Sequence, residues 1–361
     1  MVTGGAGFIG VNFVRRVLAT RPTVSVVVLD ALTYAGNGTS LEQLPADRLH
    51  FVHGDIRDQR LVDRLLREHE IRTLVHFAAE SHVDRSIDGP DAFVATNIDG
   101  THSLLKAARE YWLSGSGTPH RFHHVSTDEV YGSLGSEDPP FTERNQYQPN
   151  SPYSASKAGS DHLVRAYHHT FGLEVTTTNC SNNYGPYQFP EKLIPLMIVN
   201  ILEGKPLPIY GDGMQVRDWL HVEDHCRAIE ACLDRGVAGE LYNIGGANER
   251  PNLEIVGKLC EMIDERVGAS SDLASRFPDC PASKGSSSQS LVTYVTDRPG
   301  HDRRYAIDFS KAAADLEYQP QETFDSGFSG TVDWYLENEP WWRGVMDGSY
   351  RQWLDSNYAS R

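Results

Sequence analysis

Directly after Met1-Val2-Thr3, the chain turns through Gly4-Gly5-Ala6-Gly7-Phe8-Ile9-Gly10. These glycines satisfy both G-x-G-x-x-G (Gly5, Gly7, Gly10) and G-x-x-G-x-x-G (Gly4, Gly7, Gly10). Between a strand and a helix, such a turn lets a pyrophosphate approach the backbone and rest on the helix N-terminus, whose N–H groups have no partner within the helix. Amphipathic spacing predicts that helix to about residue 19, and a β-rich run over 24–29 then ends in Asp30. An acid about 20 residues past the last glycine is placed to take ribose hydroxyls, which favours NAD over NADP. The leading strand has only three residues before the turn, against a mean of about five to six. Either the strand is clipped or the chain starts upstream.

The remaining periodicity repeats the same grammar. Strands are predicted at 50–53, 73–77, 121–125 and 174–179, and helices at 58–69, 91–111 and 153–171, with a turn at 114–118. Alternation of this kind predicts an α/β fold with a Rossmann-type doubly wound parallel sheet. From about residue 181 loop-like segments predominate, which predicts a smaller, mixed α/β C-terminal domain. The expected division is 1–180 and 181–361, with a flexible serine-rich insertion near 270–290.

Ligands of open α/β sheets bind beyond the carboxyl ends of the strands. At the end of the 121–125 strand stand Ser126-Thr127-Asp128-Glu129-Val130-Tyr131-Gly132. In a regular strand Asp128 and Glu129 would point to opposite faces; a break there would turn both toward one substrate. Downstream, Tyr153 and Lys157 fall at i and i+4 on one helical face. Tyrosine ionises near pH 10, so service as a base near neutrality needs a shift of about three units, or roughly 4 kcal/mol. A lysine ammonium and an oxidised nicotinamide both act in that direction. On the cofactor side, Asp55 is placed to meet the adenine, and the small residues Ala78 and Ala79 let a cofactor lie against the backbone. Lys192, Arg217, Arg298 and Arg303 are candidates to clamp a diphosphate, and Tyr187 or Tyr210 to stack on a base.

A net charge of −16 argues against nucleic-acid or anionic-membrane partners without forbidding a basic pocket for a phosphorylated ligand. Five scattered cysteines read as reduced thiols of a cytoplasmic protein, and the apolar runs are strand-sized rather than membrane-spanning. His120, His123 and His124 lack partners at ligand spacing, so no metal is expected.

The motifs together resemble the extended short-chain dehydrogenase/reductases, NAD-dependent epimerases and dehydratases, and within them the dTDP-glucose 4,6-dehydratase family. The resemblance runs from about residue 3 to about 308, interrupted mainly by the 270–290 stretch. Its carriers are the glycine turn, the runs beginning at Asp30, Ala78, Ser126, Tyr153 and Ser181, and Pro190-Glu191-Lys192-Leu193-Ile194-Pro195. Thr127-Asp128-Glu129 marks the dehydratases, since related epimerases usually carry small hydroxyl residues there. The resemblance implies a tightly bound NAD that is regenerated in each cycle. It further implies Thr127, Asp128, Glu129, Tyr153 and Lys157 as catalytic residues. Cofactor contacts would come from Gly4, Gly7, Phe8, Ile9, Gly10, Asp30, Ala31, Leu32, Thr33, Asp55, Ile56, Phe77, Ala78, Ala79, Ser81, Thr96, Tyr153, Lys157 and Asn183. A nucleotide-sugar substrate, dTDP-glucose, would meet Ser81, Asn182, Glu191, Lys192, Leu193, Pro208, Tyr210, Arg217, Asn252, Arg298 and His301. A homodimer is expected through an apolar stripe (Phe93, Leu104, Leu105, Ala108; Leu163, Ala166, Tyr167) too wide for one sheet face. Two other readings share the fold: a nucleotide-sugar 4-epimerase, against which the two acids count, and a non-catalytic NAD-sensing protein, against which Thr127, Tyr153 and Lys157 together count.

Overall fold

A computed structural model describes residues 1–114 and 119–346. Seven strands form the main sheet: β1 (Val2–Thr3), β2 (Val26–Asp30), β3 (Leu49–His53), β4 (Thr73–His76), β5 (Arg121–Thr127), β6 (Val175–Cys180) and a late arrival, Leu241–Ile244. In between come three strands of the smaller lobe: β7 (Asn182–Tyr184), β8 (Leu207–Tyr210) and β9 (Val216–His221). The late strand is therefore β10, and β11 (Glu249–Pro251) and β12 (Val292–Val295) complete the set. The main sheet runs β10-β6-β5-β4-β1-β2-β3 and every pairing in it is parallel. The order reverses direction between β1 and β4, which opens a crevice at their carboxyl ends.

The sheet is covered on both faces because its strands are apolar on both. Val26 and Val28 pack on one side with α1 (Phe8–Thr20), while Val27 and Leu29 pack on the other with α2 (Gln59–Glu68). This is the period-two alternation of a strand buried on both sides. Next come α3 (Val83–Asp88) and α4 (Asp91–Phe93), a π-helical turn over Val94–Gly100, then α5 (Thr101–Leu113) and α6 (Pro152–Phe171). The expected 91–111 helix is thus one path with a π-turn in it. Most of the turn expected at 114–118 lies outside the described residues.

Two expectations need correction. Leu104, Leu105 and Ala108 do not form a spare apolar stripe; they are buried in the subunit's own core against Leu66, Trp112 and Phe122. The 270–290 stretch is not a loose insertion, since it folds into a helix over Ser271–Arg276 and two short 3-10 turns. Phe277 and Cys280 bury themselves there beside Trp342 and Leu259, where serine-rich composition concealed two apolar anchors. The chain crosses to the smaller lobe at β7 and returns through α8 (Val222–Arg235, after α7, Leu193–Leu202) to lay β10 on β6. The smaller lobe holds its own core, centred on Ile198, Leu259 (in α9, Asn252–Ala269) and Phe328.

Candidate active site

A cleft of about 460 Å³ lies along the crevice and is also lined by residues of the 180–192 segment. At its first end Gly4 has φ +70°, and a Cβ there would lie 2.6 Å from the Ala78 nitrogen. A Cβ on Gly10 would lie 2.2 Å from the Gly4 carbonyl oxygen. The N-terminus of α1 carries no side-chain cap, so its donors are left for a ligand. Asp30 accepts from the Ala6 and Leu32 backbone N–H groups at 2.9 and 2.8 Å, which fixes its carboxylate at the end of β2. These features fit a dinucleotide: a tight cradle, free helix donors and an oriented acid. Phe8, Ile9, Ala31, Thr33, Asp55, Ile56, Phe77, Ala78, Ala79, Ser81, Thr96 and Asn183 line the same cleft with Gly7. Leu32 is the exception; its N–H holds Asp30 and it does not line the cleft.

Further along, β5 ends as anticipated in a break. A 3-10 turn over Asp128–Tyr131 follows Thr127, whose hydroxyl accepts from the Glu129 N–H. Gly132 ends the turn at φ +93°. The turn brings Asp128 and Glu129 into one cleft with Tyr153 and Lys157.

The two carboxyls differ in surroundings. Burial, then the charges of Glu129 and Asp218, push Asp128 well above the usual carboxyl range, and its Oδ2 has no hydrogen-bond partner. Burial also raises Glu129, but Arg298, Arg217 and Lys192 oppose the rise. Unlike environments on paired titratable groups are the pattern of an acid and a base at one site.

Burial, with help from Glu129 and Cys180, raises the Tyr153 phenol well above its ordinary range, and a hydrogen bond with Thr127 pulls it down. The Lys157 ammonium donates to the Val125 carbonyl at 2.9 Å.

Four of the expected substrate residues, Ser81, Asn182, Glu191 and Lys192, share the cleft with these acids. Asn182, Glu191 and Lys192 line the cleft, and the Lys192 ammonium donates to the Ser81 carbonyl at 2.8 Å. Glu191 accepts from the Tyr34 hydroxyl, and burial pushes its carboxyl up to about 7. Leu193 opens α7 and packs on the smaller lobe's core. Outside the lining, Pro208 and Tyr210 stand on β8, Arg217 on β9 and Asn252 at the start of α9. Arg298 and His301 follow β12. Arg298 donates to Asp84 at 2.9 Å, Tyr210 donates to the same carboxylate, and the His301 ring meets Tyr210 edge-on. Two candidates fall away: Arg303 pairs with Asp212 on the surface, and Tyr187 packs against Trp334 and Trp341.

Sequence reasoning missed three bracing residues. Asn97, in the π-turn, clamps both backbone groups of Glu80 and donates to Ser156. Asp84 joins the α3 segment to the loop after β12. Asp161, four residues after Lys157 on α6, accepts from His124 and Ser126 of β5. A π-turn is a recognised mark of functional sites, but nothing in the residue pattern announced one here.

Comparison with known proteins agrees with this geometry. A sequence profile of the family described as GDP-mannose 4,6 dehydratase matches residues 1–331. The dTDP-glucose 4,6-dehydratase of Xanthomonas campestris pv. campestris (strain B100) is 57% identical over 355 residues, covering 97% of each chain. The dTDP-glucose 4,6-dehydratase DesIV of Streptomyces venezuelae, solved with NAD bound, superposes with a TM-score of 0.85 at 49% identity, over 95% of this chain and 98% of that one. A UDP-glucose 4-epimerase of Thermotoga maritima superposes at 0.79 with 25% identity, over 94% and 98%.

Proposed function

The chain belongs to the GDP-mannose 4,6 dehydratase family, alongside the dTDP-glucose 4,6-dehydratases, and we propose how its own residues divide the work of that reaction. It is an NAD-dependent hydro-lyase that converts dTDP-glucose to dTDP-4-keto-6-deoxyglucose and water. Bound NAD supplies the acceptor for the C4 hydride and later returns it to C6. Gly4, Gly7 and Gly10 admit the pyrophosphate, and Asp30 takes the ribose hydroxyls.

Tyr153 receives the 4-hydroxyl proton while Thr127 hydrogen-bonds the developing 4-keto oxygen. Lys157 favours the phenolate and holds the nicotinamide ribose. The ketone acidifies C5, from which Glu129 removes the proton. Asp128, kept protonated by burial, gives its proton to the 6-hydroxyl, and water leaves. Glu129 then returns its proton to C5. Lys192, Arg217 and Arg298 meet the diphosphate, and their charges also keep Glu129 a base. In this reading residues before about 180 serve mainly the cofactor and later ones mainly the nucleotide sugar.

One observation carries the assignment: two adjacent carboxyls line one cleft with Tyr153, Asp128 opposed by one cation, Arg217, and Glu129 by three, Arg298, Arg217 and Lys192. An epimerase has no use for such a pair. Incubation with dTDP-glucose tests it: alkali-induced absorbance of a 4-keto-6-deoxy sugar supports the dehydratase, whereas a galactose product would favour the epimerase.

The active form in this reading is a cytoplasmic homodimer. Val94 and Phe171 support the dimer as exposed apolar side chains on the π-turn and α6, and five buried free thiols suit a reducing compartment. No helix among the described residues is long and apolar enough to cross a membrane.

A further inference from the structure

Beneath the tyrosine–lysine pair lies a buried carboxylate with no place in the mechanism above. Tyr153, Lys157 and Asp161 stand at i, i+4 and i+8 on one face of α6. Asp161 Oδ1 accepts from His124 Nε2 at 2.9 Å, and Oδ2 accepts from the Ser126 hydroxyl at 2.9 Å. Both partners belong to β5, the strand that ends in Thr127, Asp128 and Glu129. The Tyr147 hydroxyl also bonds Asp161, and exposed His162 faces it from α6. Burial drives His124 well below its ordinary range, so it meets Asp161 as a neutral imidazole; its ring lies 5.4 Å from that of His76 on β4. Cys180 on β6 stays a thiol, raised by burial to about 12. Lys157 is thus the cation that balances Asp161.

We propose that Asp161 is the positioning residue of the redox half-site: it pins α6 to β5 and supplies the counter-charge that holds Lys157 as an ammonium beside Tyr153. The geometry explains why a carboxylate sits there at all. A buried ammonium without a partner is costly, and burial does pull Lys157 down while Asp161 pulls it up. Burial places Asp161 itself at about 6, so it carries its charge at neutral pH. The same residue fixes the distance between the helix that starts the reaction and the acids that finish it.

The inference rests on the roles given above to Tyr153 and Lys157. Asp161→Asn keeps the side-chain shape and removes the charge. Followed by NMR of isotope-labelled lysine without substrate, Lys157 should titrate lower by about one unit or more. The limb of the C4-oxidation pH profile that rises with pH should move to higher pH, because the phenol ionises less readily beside a neutral amine. At neutral pH the oxidation rate should fall by roughly 10- to 100-fold, while solvent deuterium still enters C5 of the preformed 4-keto product at the parent rate. Ser126→Ala, which removes a single anchor, should shift both quantities the same way by less, and it carries the test if the first variant does not fold. An unchanged Lys157 titration, or an equal loss of oxidation and exchange with an unmoved pH profile, would show that Asp161 only packs. Normal C4 oxidation by Lys157→Ala would overturn the roles of Tyr153 and Lys157 and this inference with them.

Discussion

Asp128 and Glu129 are chain neighbours with opposite proposed duties, and the proposal rests on their different surroundings. Burial and the charges of Glu129 and Asp218 outweigh Arg217 at Asp128, and its Oδ2 has no hydrogen-bond partner, so its neutral form is favoured. Glu129 lies within the field of Arg298, Arg217 and Lys192. Asp128→Asn should therefore retain C4 oxidation and C5 exchange while losing turnover by about 10²–10⁴-fold, the usual weight of a general acid. Product assay and deuterium incorporation on the same sample check this. Retained turnover would make Asp128 a structural residue. The Tyr153 phenol is expected to be lowered by the Lys157 ammonium together with an oxidised nicotinamide. Burial and Glu129 raise it in the protein alone, and Lys157 turns to the Val125 carbonyl. The descent toward neutrality therefore needs the cofactor's positive ring acting together with the Lys157 ammonium.

At the scale of elements, the glycine turn and the β5 break do most of the positioning. A methyl group on Gly10 would collide with the Gly4 carbonyl at 2.2 Å, and neither backbone segment can retreat without opening the α1–β1 contact. Gly10→Ala should cost about 1–3 kcal/mol of stability, in the range of core overpacking, and leave the purified protein short of NAD. Thermal melting and the nicotinamide released on denaturation measure the two effects; full occupancy would contradict the account. This part of the site was legible because its chemistry is local in sequence. The glycines, the Thr127-Asp128-Glu129 run and the Tyr153/Lys157 pair each show as a short motif, and Asp30 shows by its spacing from the last glycine. Asp161 and Asn97 were not legible, since their partners come from 17 to 59 residues away and only the packing of α6 on β5 and the π-turn brings them together.

Over the whole molecule, alternation of strands and helices foretold the doubly wound sheet, including its parallel order. It did not foretell that β10 returns from the second lobe, because a four-residue strand after a long excursion carries no pairing signal of its own. The dimer argument likewise changes with the packing known. Leu104 and Leu105 serve the internal core, so the proposed two-fold contact is placed instead on the outer surface that exposes Val94 and Phe171. Sedimentation at micromolar concentration should give a dimer, and Val94→Asp combined with Phe171→Asp should shift it toward monomer. A monomeric parent would contradict the proposed assembly while leaving the single-subunit chemistry intact.

The division of labour in the cleft is tested most directly by adding dTDP-glucose to Glu129→Gln and watching the near-ultraviolet absorbance of reduced nicotinamide. In the proposed mechanism, C4 oxidation needs Tyr153, Lys157 and NAD but not Glu129. The variant should therefore accumulate enzyme-bound NADH and stall before water leaves, while Tyr153→Phe shows neither absorbance nor product. Normal turnover by Glu129→Gln, or a block of the first hydride transfer as complete as that in Tyr153→Phe, would contradict the roles assigned to the acids.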